Sequence, residues 1–327
     1  MRVNRAFLGW GVFLVLVGAI PLAVRAGYVT EAQIPNVVSL WPLILIGIGV
    51  GILLARTRYA LLGGLLVAAT FGVMAGGLLA GGAAGFGAGA CGPGGATTPF
   101  PTRDGTLTGS SASIDLDLNC GNVTVTVAPG TTWRIEGQDR DGIGPTVNAD
   151  NDSLTVRSHD DDGFFDAIDD RETWRVSLPD SVRLDVNLNL NAGSSSLDLG
   201  GAAVETLDLD LNAGSASLDL GSVRELGDLR VGLNAGSLEL TLPNQSLTGS
   251  IEANAGSVQL CVPPGVALRL NTAESIVASY DYEGEGLVKQ GSTWETPGFG
   301  TAAVRIELDT EANAGSFSLN PEEGCGG

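Results

Sequence analysis

The sequence predicts N-terminal transmembrane α-helices followed by an all-β solenoid. Three observations predict it. Residues 1–90 hold long uncharged apolar runs, with only five basic residues and one acid. The rest carries 36 acids against 12 bases, a net of −24, and much of it alternates apolar with polar residues. Above all, Asn-Ala-Gly-Ser recurs with its asparagine at Asn191, Asn212, Asn234 and Asn254, in steps of 21, 22 and 20 residues. A fifth copy carries Asn313, and a variant, Asn-Cys-Gly, carries Asn119. A period near 21 with this regularity marks a stacked repeat architecture.

The membrane part is expected over 1–87, with helices at about 7–24, 38–55 and 59–80. Each run is long enough for a bilayer core of about 30 Å. Two further runs follow the first, so it reads as an uncleaved helix rather than a signal peptide. Arg2 and Arg5 precede the first helix and Arg56 and Arg58 separate the second from the third, which puts those segments in the cytoplasm. With three spans the β domain lies outside; a fourth span would reverse this. Residues 88–105, rich in Gly, Pro and Thr, read as a linker. The lipid bilayer is therefore the first expected partner.

The β domain is expected over 106–322. In each repeat, aliphatic residues such as Val186, Leu188 and Leu190 alternate with polar ones, placing one apolar face on a strand. Each copy reads as strand, tight turn, strand. Gly193, Gly214, Gly236, Gly256 and Gly315 each follow Asn-Ala, which suggests a backbone of positive φ at that position. One unit cannot bury its own leucines, so units stack. The asparagines then fall in a row that can form a hydrogen-bonded ladder; the alternative is a row that binds a ligand. The outward acids, among them Asp208, Asp210 and Glu252, read as a solvated face that discourages edge pairing; the alternative is a row that collects divalent cations.

The remaining segments follow in order. Residues 103–127 give a first rung. TTWRIEGQ and DSLTVRSH read as strands, separated by a turn-rich stretch. The acidic insertion HDDDGFFDAIDDRE offers Asp160, Asp162 and Asp166 to a calcium ion, yet it lacks the spacing of a calcium hand, so a solvated loop is expected. Residues 265–303 break the repeat, and the rung around Asn313 ends the fold.

Four cysteines, Cys91, Cys120, Cys261 and Cys325, allow three pairings. Outside the cytoplasm the expected pairs are Cys91–Cys325, from similar flexible settings at the two ends, and Cys120–Cys261. There is no CxxC to suggest a redox or zinc site.

Composition and motifs exclude several functions. So acidic a surface repels nucleic acid. The single histidine, His159, cannot build a His-based metal cluster, and no Gly-x-Ser-x-Gly elbow supplies a nucleophile. No catalytic, cofactor-binding or metal residues are assigned, no cofactor is expected, and the chain reads as not an enzyme.

The segments FLGWGVFLVLVGAIPLAV and SLWPLILIGIGVGILLARTR resemble the LiaI/LiaF-type transmembrane region of bacterial envelope proteins. The rung at Asn119, the Trp174-Arg-Val-Ser-Leu-Pro strand and the Asn-Ala-Gly-Ser rungs resemble the adhesin-like "toastrack" β-helical domain found behind such segments. The resemblance implies a membrane-anchored domain in envelope stress sensing or regulation, partnered by another envelope membrane protein or by itself. A surface adhesin or glycan-binding module is the alternative, and a polysaccharide-active β-helix enzyme the third.

Overall fold

The computed structural model describes residues 14–15, 97–159, 171–273, 278–282, 286–321 and 325. The chain divides into two compact units, Met1–Gly89 and Ala90–Gly327. Apart from the helical Leu14 and Val15, the three membrane helices expected in the first unit lie outside the described residues. Among the described residues no helix is long and apolar enough to cross a membrane.

All the strands belong to one 16-stranded sheet. In chain order they are β1 (Thr98–Pro99), β2 (Arg103–Thr106), β3 (Ser111–Ala128), β4 (Thr132–Asp139), β5 (Thr146–Ala149), β6 (Ser153–Arg157), β7 (Glu172–Pro179) and β8 (Arg183–Asp198). Then follow β9 (Ala203–Asp219), β10 (Glu225–Thr241), β11 (Leu247–Cys261), β12 (Ala267–Thr272), β13 (Ser279–Asp281), β14 (Val288–Gln290), β15 (Thr293–Glu295) and β16 (Arg305–Leu319). The strand β1 and all but the last residue of β2 fall inside the stretch expected as linker, where they pair antiparallel with β4. The turn-rich stretch before β6 likewise contains β5.

Six long strands form the body, in the order β3, β8, β9, β10, β11, β16, every pair parallel. The repeats set the register: Leu188 faces Leu209, which faces Val231, which faces Ile251. Each rung is one continuous strand bent at Asn-Ala-Gly, not two strands joined by a tight turn. The bend reverses the alternation. In β8 the buried positions are Leu184, Val186, Leu188 and Leu190 before the corner, and Ser195 and Leu197 after it. Both legs of every rung therefore feed one core. Its leucines stack from rung to rung with almost no exposure, each contributing about 1.5–3 kcal/mol by burial.

The ends of the stack are built differently. Beyond β3, the rung is split: β6 pairs with the first leg of β3 and β7 with the second. The break between β6 and β7 therefore falls where other rungs have their corner. Asp160, Asp162 and Asp166 of the acidic insertion lie outside the described residues. At the other end β12 and β13 pair with the two legs of β16, giving a second rung split at the corner. The rung around Asn313 consequently does not end the stack. The strand β16 inserts between β11 and β12, and the strands β12 to β15 form the cap. Its plug is aromatic: Tyr280 stacks on Phe317 with centroids 5.7 Å apart, and Tyr282 meets Trp294 edge-on at 5.8 Å. Burial raises the pKa of the Tyr282 phenol well above its ordinary value.

Candidate functional site

The residues shared by the repeats meet at the corner. There Gly121, Gly193, Gly214 and Gly236 have φ of 145°, 133°, 139° and 142°, the mirror image of extended backbone. Only glycine adopts this readily. A second constraint acts at the same place. A Cβ on Gly214 would lie 1.9 Å from the carbonyl oxygen of Gly193, and one on Gly193 would lie 1.8 Å from that of Gly121. At Gly315, which has no such φ, the close approach alone remains: a Cβ would lie 2.5 Å from the Gly256 oxygen. The glycines thus let each rung both bend and lie against its neighbour.

One residue pair earlier stand the asparagines. Asn191 donates from Nδ2 to Oδ1 of Asn119 at 3.1 Å, Asn212 to Asn191 at 2.8 Å and Asn234 to Asn212 at 2.7 Å. Asn254 then donates to Asn234 at 2.8 Å, and Asn313 to Asn254 at 2.6 Å. The six amides form a continuous chain along the outside of the corner. Each interior amide uses one N–H and one lone pair within the chain, and keeps another of each for an outside partner.

Just past the glycines runs a second row in strict register: Thr173, Asn122, Ser194, Ser215, Ser237, Ser257, Ser316 and Ser279. It crosses eight strands without a charge. On the other side of the asparagines the next outward row contains Asp117, Asp210, Glu252 and Glu311, with Asn189 and Gly232 between them. The acids therefore crowd the first leg, and the serines and threonines the second. On the first leg Asp208 is partly buried, and burial first, then the neighbouring Asp210 carboxylate, raises its pKa; Arg230 opposes this. Arg230 pairs with Asp228, and Arg183 with Glu225 at 3.0 Å. The asparagines and glycines are the repeat residues that the sequence singles out; the serine row shows only once the strands are in register, although its signal is the last residue of each Asn-Ala-Gly-Ser.

The concave places offer less. A cavity of about 770 Å³ lies between Asp104, Asp150, Asp152 and Trp133. Another of about 470 Å³ is lined by Arg269, Arg305, Phe299 and Glu307. Its Arg269 sits 4.1 Å above the Phe299 ring and is held by Glu295 and Glu307, chiefly by the Glu295 hydrogen bond, which raises its pKa. Among the described residues no group of three or more His, Cys, Asp or Glu is arranged to hold a metal. His159 is exposed.

The disulfides differ from expectation. Cys261 bonds Cys325, with Cα atoms 5.3 Å apart. This overturns both expected pairs, Cys91–Cys325 and Cys120–Cys261. Cys120 sits on β3, in the alanine slot of its corner beside Ala192. Cys261 ends β11, four strands away, or about 19 Å at about 4.8 Å per strand, far beyond disulfide reach. The chain end instead folds back onto β11: the Asn320 N–H donates to the Leu260 carbonyl, and the Val262 N–H to Asn320 Oδ1. Cys120 is itself disulfide-bonded, and Cys91 lies outside the described residues.

Residues 103–242, from β2 to the end of β10, match the family described as the N-terminal domain of toast_rack, DUF2154. This part of the chain is a toastrack-like β domain. Two solved structures are similar to the chain. One is a candidate cell adhesion protein from Clostridium sporogenes, at 14% identity and a TM-score of 0.44, covering 68% of this chain and 99% of that one. The other is a candidate adhesin from Bacteroides fragilis, at 14% identity and a TM-score of 0.28, covering 68% and 97%. No curated protein matches the chain.

Proposed function

We propose that the chain is a non-enzymatic, membrane-anchored protein of the bacterial cell envelope, whose β-solenoid serves as a protein-interaction or sensing module in the response to envelope stress. The observation that carries this reading is the stack of bent rungs in parallel register. It presents long rigid faces. Solenoids suit recognition because their surfaces are extended and preorganised. The apolar runs of residues 1–87 supply the anchor, and the basic residues around them favour export of the β domain. A structural disulfide in the β domain fits an oxidising compartment.

Reporter fusions at about residue 105 test the reading. A phosphatase that needs the oxidising side of the membrane should be active there, and a fluorescent reporter that needs the cytoplasm should be dark. The opposite pattern would put the β domain inside and remove the envelope role.

A further inference from the structure

We propose that the uncharged corner ridge is a self-association surface, on which a second copy of this chain docks. The proposal rests on the interaction-module reading above and names its surface and partner.

Charge selects the ridge. The protein carries a formal net charge of −20, so two copies repel wherever their acidic faces meet. The first leg presents such a face, with Asp117, Asp210, Glu252 and Glu311 in one row. The asparagine row carries no charge across its six strands, and the serine row beside it none across its eight. Between them lie the small corner alanines and the glycine backbone.

Chemistry then selects the partner. A contact between identical patches related by a two-fold axis must be self-complementary. Carboxylates accept only, so a row of them cannot pair with its own image. Hydroxyls and primary amides both donate and accept, so the exposed Ser215 and Ser237 and the unused amide groups of Asn212 and Asn234 can face their own copies. The rows repeat at the same strand spacing in both molecules, which brings many such groups into register at once.

Size bounds the strength. Six strands at about 4.8 Å, and about six residues at about 3.3 Å each, give roughly 570 Å² per copy. Two copies then bury about 1,100 Å², the lower end for a specific complex. Such a contact is weak between free molecules and gains from tethering in one membrane.

Sedimentation velocity of the purified full chain in detergent, across a concentration series, tests this. Wild type should associate reversibly, and association should tighten as salt rises from 50 to 500 mM (about 14 to 4 Å Debye length), because the repulsion between acidic bodies is screened. The double variant S215E/S237E should weaken association by tenfold or more. S250E adds the same kind of charge at an exposed first-leg position and should leave it within about twofold. S215K/S237K guards against a simple folding defect: mixed with S215E/S237E it should restore association. A strictly monomeric wild type overturns the proposal. So does association that S215E/S237E leaves intact, which would place the contact elsewhere, or a ridge that captures a glycan while the chain stays monomeric. None of these results depends on the side of the membrane, so failure here is separate from failure of the reporter test.

Discussion

Replacing Gly214 with alanine tests the account of the corner most directly. Gly214 has φ of 139°, and its Cβ would lie 1.9 Å from the Gly193 oxygen and 2.9 Å from the Gly193 carbonyl carbon. Ordinary carbon–oxygen contact is about 3.3 Å, so the rungs would have to part by about 1.4 Å. An L side chain held in so sparse a backbone region costs about 1–3 kcal/mol. Parting the rungs loosens two or three ladder hydrogen bonds, each about 1 kcal/mol net. The expected total is about 3–6 kcal/mol, a large share of the 5–15 kcal/mol that typically holds a domain. Gly201 supplies the control. Its φ is 82°, yet nothing lies within 4 Å of its Cβ, so alanine there pays for backbone strain alone, about 1–2 kcal/mol. Urea unfolding followed by far-ultraviolet circular dichroism measures both. If Gly214→Ala and Gly201→Ala cost the same within about 0.5 kcal/mol, close approach of the rungs is not what demands glycine at the corner.

Three further outcomes follow from the same geometry. Asn234→Ala removes two ladder bonds, to Asn212 at 2.7 Å and from Asn254 at 2.8 Å, and should cost about 1–2 kcal/mol in the same assay, against little for Ser237→Ala next to it. Cys261→Ser opens a bridge between residues 64 apart in sequence; chain entropy puts the loss at about 4 kcal/mol, and non-reducing peptide mapping of the wild type should recover Cys261 linked to Cys325. Asp208 is expected to respond to pH. Its folded-state pKa is raised, chiefly by burial, so its protonated form favours folding. That contribution is full below the unfolded value of about 3.9 and is lost as pH rises through the folded value. Asp208→Asn should therefore raise the melting temperature at pH 7, and the gain should vanish by about pH 3; a gain that grew on acidification would contradict the assigned sign.

Most of the body of the β domain was legible in the residues because its signals are local and repeated. Alternation in stretches such as Val186-Asn-Leu-Asn-Leu190 names the buried face, since successive side chains in a strand must point opposite ways. The step of about 21 residues dictates that such faces stack. The Pro residues after Leu178, Leu242 and Val262 stand at strand ends, where a missing N–H costs no ladder bond. The corner was legible only in part. Asn-Ala-Gly signals a change of direction, but whether the chain turns back or bends onward depends on what lies beside the glycine, and that is the carbonyl of another rung 20 or more residues away.

Sequence by itself therefore determined the strands, their inward faces and the rung-on-rung stacking, because propensity, alternation and period act within a few tens of residues. Tertiary structure alone decided the order of the rungs, the disulfide and the two chemically distinct faces. The insertion of β16 between β11 and β12 is a long-range pairing that no local pattern encodes, and it makes the strands β12 to β15 the cap. The Cys261–Cys325 bond follows from it, because the chain end now emerges beside β11 instead of beyond the stack. The split between an acidic first leg and an uncharged ridge exists only once register lines up Ser194, Ser215, Ser237 and Ser257 across strands, since charge on a surface is a property of neighbours in space.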